Sequence, residues 1–387
     1  MHVLIAPDTF GPDLGARAVG AALAVGWSRG APHDTVEVCP LSDGGRGFTA
    51  LVAEALGDLP MQDDVLVVPG THGTSTLYID SFRCIDGDRS SVRLAAAIGR
   101  ALEIGATRIV VGLPGPHEVP DGPDAGAGLL SALGALSLGA VDRAAADRLG
   151  AVTATDLAGL AGVRERLRGV DLVGATASDI PLLGLHGASA GAAAAGILGA
   201  EQAQDLERAI GHLAHTVGHV LAVATDGRRP LALAGAPAVR ADTTRVLSGA
   251  PGTGAGGGLG FAICALGGRL VDGASLFGDV ARTSERAGRA DLVLTARAEL
   301  DGSSFHGSAL AVAVQAAAEW GVPCVAVART SIMSRRERAA VGLSALAELR
   351  APSSPDLGGP GGTAVELQAC AARLARTWSP SRVLRHT

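Results

Sequence analysis

The stretch HVLIAPDTFGPDLGARAVGAALAVGWSRGAPHDTVEVCPLSDGG, residues 2–45, decides the fold. Residues 2–6 form a short apolar run, and 8–13 carry turn residues. Apolar side chains recur at helical spacing over 14–27, and 35–39 is strand-like again. A turn, Leu41-Ser42-Asp43-Gly44-Gly45, leads to an expected helix over 48–56. Strand, loop, helix, strand within forty-odd residues is the unit from which parallel sheets are built.

The last third repeats that alternation. It reads as a strand over 291–295, a helix over 307–320, a strand over 322–328 and a final helix over 363–376. Between the ends, 65–68 and 75–79 read as paired strands, 91–104 as a helix, 108–111 as a strand and 124–136 as a helix. The alanine-rich middle resists segmentation apart from one long helix over 201–223, and 351–362 reads as a flexible connection. The expected architecture is α/β: a Rossmann-like parallel-sheet domain formed by both chain ends (1–60, 92–145 and 285–387), with a second α/β domain inserted (61–91 and 146–284).

Composition narrows the function classes. Of 387 residues, 55 are glycine, roughly twice ordinary usage, without the strict period that collagen requires. Apolar residues make up 48% and the net charge is −6, which excludes a disordered chain and argues against a nucleic-acid surface. No lysine and no asparagine occur, so every one of the 32 basic residues is arginine. A Walker A loop, a Schiff-base lysine and a lysine general base are thereby ruled out. The five cysteines are widely spaced, with no CxxC, and read as reduced small hydrophobes. The opening MHVLIAPDTF lacks a basic leader followed by a long apolar run, and no apolar run is long enough for a bilayer. A cytoplasmic protein with no membrane partner is expected.

Residues 251–260, PGTGAGGGLG, are the strongest local signal. Glycines at 252, 254, 256, 257 and 258 before an apolar helix can turn main-chain amides toward a bound phosphate. The bland alternative is a tight turn with close helix packing. The same stretch contains G-x-G-x-x-G, but a dinucleotide fingerprint also needs a preceding strand, and 244–247 makes a poor one. Asp8, Asp43 and Asp301 each follow an expected strand, where an open parallel sheet binds ligands. Single aspartates there usually cap turns. Three beside a phosphate-type loop favour a site, where carboxylates can hold Mg²⁺ through one or two contacts together with substrate phosphates. Ser303 and Ser304 precede a helix, to cap it or to meet a phosphate. His212, His215 and His219 share a helix face opposite the apolar one, and a solvated face explains them better than a metal.

With these pieces in place, the chain resembles the bacterial glycerate kinase family of the two-domain α/β type. IAPDTF (5–10) is similar to that family's IAPDSF, and 41–45 to its ADGG turn. DAGAGLLSALGA (124–135), PLLG-x-x-GAS (181–189) and PGTGAGGGLG each have a counterpart in the same order. DLVLT followed by Leu300, Asp301 and Ser304 is similar to the family's DLVITGEGRLD-x-QS segment. Departures fall on polar positions. The family's lysine after APDSF is Gly11, two of its glutamates are Arg46 and Arg297, and Glu299 stands where it has arginine.

The resemblance implies ATP- and Mg²⁺-dependent phosphorylation of glycerate or a similar small hydroxy acid. It implies that Gly252, Gly254, Gly256, Gly257 and Gly258 with Ser304 hold phosphates, and that Asp43 and Asp301 contact Mg²⁺ or nucleotide. Asp179, Asp43 and Asp301 would be the catalytic acids, with Asp179 orienting or deprotonating the substrate hydroxyl. Asp8, Arg46 and Arg297 would contact the substrate. A homologue that has lost catalysis and keeps the fold for binding or regulation is the alternative, favoured by the missing lysines and exchanged charges.

Overall fold

The computed structural model describes residues 1–11, 14–62, 65–81, 92–115, 119, 123–138, 146–226, 243–301, 307–349 and 360–380. Along the chain the strands are β1 (His2–Ile5), β2 (Thr35–Val38), β3 (Met61–Gln62), β4 (Val65–Pro69), β5 (Ser75–Asp80), β6 (Arg108–Leu113), β7 (Asp171–Thr176), β8 (Arg269–Asp272), β9 (Leu292–Ala296), β10 (Glu299–Leu300), β11 (Cys324–Ala328), β12 (Thr330–Ser331) and β13 (Ala345–Glu348). They fall into two compact units. The chain-end unit comprises Met1–Asp43, Glu54–Asp58 and Ala274–Thr387, and the inserted unit Gly44–Ala53 and Leu59–Gly273.

The chain-end unit holds a five-stranded parallel sheet in the order β13-β11-β9-β1-β2. Numbered within the unit, that order is 5-4-3-1-2, the doubly wound arrangement that reverses direction between its first and third strands. Val3, Ile5, Leu292, Leu294, Val325 and Val327 are fully buried and share one core with Leu23 and Trp27 of the helix Ala16–Gly30. Both faces of such strands are covered, which is why they read as continuous apolar runs. Gly26 lets that helix meet the closing helix Pro360–Trp378, because a Cβ there would lie 2.2 Å from the Gln368 carbonyl oxygen.

The inserted unit holds a six-stranded sheet in plain sequence order, β3 to β8, antiparallel through β5 and parallel from β5 to β8. Leu77, Ile79, Ile109, Val111 and Leu172 project into one core with Ile98, Leu129, Leu160, Ile210, Leu213, Leu259 and Ile263 from the helices. The helix Phe48–Ala55 approaches the sheet through Phe48, whose ring meets Tyr78 edge-on at 6.0 Å and fills the space beside Gly112.

The expected elements are present at the chain ends, and in the middle so are β4, β5, β6 and the helices Val92–Glu103 and Ala200–Asp226. Residues 92–145 were expected with the chain ends, but β6 pairs with β5 on one side and β7 on the other and so belongs to the inserted unit. The helix expected over 124–136 is only Ala127–Ala132. Strands β7, β8 and β13 lie in stretches the sequence left unassigned. Most of 351–362 lies outside the described residues. Among the described residues, no helix is long and apolar enough to cross a membrane.

Candidate active site

In the chain-end unit, the carboxyl ends of β1 and β9 lie side by side at the point where the strand order reverses. An open α/β sheet opens a ligand crevice there, because the loops from the two strands leave in opposite directions. The loop after β1 stays close to the sheet: the Ala6 amide donates to Leu294 O at 2.8 Å and the Asp8 amide to Ala296 O at 2.9 Å. Asp8 is 1% exposed. Its carboxylate accepts the Thr9 amide at 2.7 Å and Nη1 of Arg297 at 2.5 Å. Burial pushes the Asp8 carboxyl above its ordinary value, opposed by the guanidinium beside it. Asp8 and Arg297, both expected to contact substrate, are thus brought together across 289 residues, with Arg297 one-third exposed. Asp43 and Asp301 lie in the same unit, half-buried, beyond the ends of β2 and β10.

Arg329 is a further charged residue at a strand end, one that no motif in the sequence marks. It sits between β11 and β12 and donates its amide to Ala298 O at 2.9 Å, while the Arg297 amide donates to Val327 O at 3.0 Å. Its exposed guanidinium lies 5.3 Å from the centre of the Phe10 ring.

In the inserted unit, Asp179 lies exposed on the loop after β7, and Arg46 is exposed before the helix Phe48–Ala55. Asp80, at the end of β5, was also missed. It is 2% exposed and accepts the Gly47 amide at 2.9 Å, and its only signal was an acid directly after the apolar run 75–79. Asp124 caps the helix Ala127–Ala132 by accepting the amides of Gly126 at 2.7 Å and Gly128 at 3.1 Å. Burial raises its carboxyl, opposed by those two amides.

The glycine-rich loop corrects an expectation. Residues 252–260 are all buried. Gly256, Gly257 and Gly258 have φ of 61°, 68° and 98°, a succession that only glycine adopts without strain. Their neighbourhood consists of protein. The Gly254 amide donates to Ile180 O at 3.0 Å, the Gly256 amide to Pro114 O at 2.8 Å and the Gly258 amide to Gly254 O at 3.1 Å. A Cβ on Gly258 would lie 2.4 Å from Cα of Ala125, and one on Gly254 2.3 Å from Pro181 O. These three amides do not face outward as a phosphate cradle; the glycines let backbones interlock. Gly252 likewise packs on Thr176.

The dinucleotide reading also lacks its structural context, since Thr243–Gly249 before the loop is helical. Ser303, Ser304 and His306 lie outside the described residues, while Ser308 caps the helix Ala309–Glu319 by accepting the Ala311 amide at 3.2 Å. His212, His215 and His219 are exposed, as expected. Among the described residues no group of three His, Cys, Asp or Glu side chains suits a metal ion. Cys39, Cys264 and Cys324 are free thiols pushed by burial to about 11, 11 and 12, which removes them as nucleophiles.

With this geometry known, comparison with other proteins is informative. The model of the glycerate kinase family matches residues 3–99 and 73–379. A glycerate kinase of Bacillus subtilis (strain 168) is 25% identical over 349 residues, covering 85% of each chain. The glycerate 2-kinase of Escherichia coli (strain K12) is 26% identical over 351 residues with the same coverage. An uncharacterized protein of Mycobacterium bovis is 28% identical over 349 residues, 85% of this chain and 78% of its own. A crystal structure from Salmonella typhimurium LT2, carrying the provisional name glycerate kinase 2, matches with a TM-score of 0.66 at 22% identity, over 97% of this chain and 98% of that one. This last match is a likeness of fold.

Proposed function

We propose, from the premise that this chain belongs to the glycerate kinase family, that it transfers the terminal phosphoryl group of ATP to a hydroxyl of glycerate or a similarly small hydroxy acid. The observation that carries the reading is the Asp8–Arg297 pair at the sheet reversal of the chain-end unit. One Arg297 nitrogen is held by Asp8 while a third of the side chain faces solvent, so the fork is oriented and still available to a carboxylate. Asp8 is then a positioning residue that fixes the guanidinium.

Phosphoryl transfer depends on positioning and on balancing charge. Asp43 and Asp301, half-buried at strand ends of this unit, suit a Mg²⁺ that keeps several waters and arrives with phosphates, since such an ion needs only one or two protein carboxylates. Bound there, the ion would supply positive charge to the phosphate oxygens. Asp179 is exposed, and its carboxylate is available to accept the substrate hydroxyl proton. Arg46 is exposed and provides a second cation for anionic groups.

A coupled ADP-release assay with D-glycerate, ATP and Mg²⁺ tests the reading. Turnover is expected in wild-type protein and should drop by about a hundredfold or more in Asp179→Asn if that carboxylate handles the proton. Well-folded protein that neither releases ADP nor binds ATP would leave the family fold without this activity.

A further inference from the structure

The loop Asp8–Thr9–Phe10–Gly11 after β1 is met by two arginines from two paired strand ends. Arg297 leaves the end of β9 and reaches Asp8. Arg329 leaves the end of β11, lies over Phe10, and places Nη1 3.9 Å from where a Cβ on Gly11 would be. The two positions are tied through the main chain. The Arg297 amide donates to Val327 O and the Arg329 amide to Ala298 O, and the pairing continues into the two-stranded β10–β12 ladder. Both guanidiniums therefore stand on a rigid joint at the sheet reversal.

Their surroundings make an anion site. Asp8 accounts for one positive charge, and among the described residues the polar side-chain partner of Arg329 is Thr363, with Nη2 to Oγ1 at 3.4 Å. That leaves most of its five N–H donors free of described partners. The side chain is nonetheless located, because its guanidinium carbon lies over the Phe10 ring within cation–π distance. Gly11 lies beside it, with a φ of +82° that favours glycine, and a Cβ there would be in ordinary van der Waals contact with Nη1. The chain also has no lysine anywhere to supply a cation to this loop.

We propose that Arg329 is a specificity-determining residue that, with Arg297, clamps the carboxylate of the substrate acid at this edge. The assignment rests on the kinase reading above and adds the residue that selects an acid over a neutral polyol. Arg329→Gln and Arg329→Lys should both fold, because the side chain is exposed. In the ADP-release assay Arg329→Gln is expected to raise KM for D-glycerate by about 10- to 100-fold, the loss of one charge-assisted contact. The value of kcat and KM for ATP should stay near wild type. Preference for glycerate over glycerol should fall by the same factor, and Arg329→Lys should recover part of it. An unchanged KM and unchanged acid preference in Arg329→Gln, with wild-type protein active, overturns this assignment alone. Wild-type protein without glycerate turnover overturns the kinase reading and this assignment together.

Discussion

Two regions of this molecule carry the features that drew attention in the sequence, and they use their backbones in opposite ways. At β1 and β9 of the chain-end unit, main-chain bonds hold the loop Ala6–Asp8 against the sheet, and the side chains of Asp8 and Arg297 pair beside it. In the inserted unit the main chain itself is the packed object. Gly254, Gly256 and Gly258 give their amides to carbonyls, and Ala125 donates to Gly257 O at 2.9 Å, so two turns lock backbone to backbone. A run of glycine is thus no proof of an anion cradle, because a protein carbonyl satisfies an amide as well as a phosphate does. The side-chain-rich edge is where recognition is expected, and the glycine-rich interior is where stability is concentrated.

The largest effect that would break this contrast is at Gly258. Gly258→Ala would place a Cβ 2.4 Å from backbone at a φ of +98°, and should destabilise the inserted unit by about 3 kcal/mol or more, measured by denaturant unfolding. Gly47→Ala also has positive φ, +80°, but meets nothing within 4 Å and should cost only about 1–2 kcal/mol. Equal costs at the two positions would show that interlocking is not what Gly258 provides. Gly258→Ala should not alter KM for glycerate if the loop serves packing.

At the chain-end edge the ordering reverses, with activity more sensitive than stability. Arg297→Gln should lower kcat/KM for glycerate by about a hundredfold, while stability falls by about 1–3 kcal/mol as buried Asp8 loses its partner. Adding Asp8→Asn should restore part of the stability and none of the activity. Activity that survives Arg297→Gln would detach this pair from the substrate.

The smallest effect sharpens the comparison by sign. Burial raises the Asp8 carboxyl, so its contribution to stability is fully present below its unfolded value and is lost as pH rises through the folded one. Asp171 in the inserted unit behaves oppositely. A hydrogen bond from Arg269, at 2.9–3.0 Å, lowers its carboxyl, so its contribution is present above the unfolded value and lost as pH falls through the folded one. That exposed pair is worth less than about 1 kcal/mol. Hydrogen exchange followed from neutral pH to below about pH 4 should show Asp8→Asn and Asp171→Asn removing pH dependences of opposite slope. Slopes of the same sign would contradict both environments.

What the sequence made legible was local. The runs HVLI, LVLTA and CVAVA announce β1, β9 and β11 because a strand covered on both faces reads as a nearly continuous apolar run, while TVEV announces the more exposed edge strand β2 through its β-branched residues. DLVGAT and ALAE passed unnoticed because alanine favours helices and glycine favours turns, so neither signals a strand. Residues 92–145 were assigned to the wrong domain because a helix–strand unit looks the same in either sheet. Its allegiance is set by pairing with β7, some sixty residues further on. Acids at strand ends were visible one by one, but the Asp8–Arg297 pair spans 289 residues and no local pattern signals it. Arg329 carried no signal at all without the ring of Phe10 beside it.

The position of β1 between β2 and β9 has a consequence for biosynthesis. A nascent chain emerging from the ribosome exposes its first strand long before the third of that sheet, Leu292–Ala296, has been translated. The inserted unit, whose sheet is laid down in order of synthesis, can mature first. Until then the earliest segment waits without its partner on one flank, which makes premature termination in the last third a route to aggregation rather than to a smaller working protein.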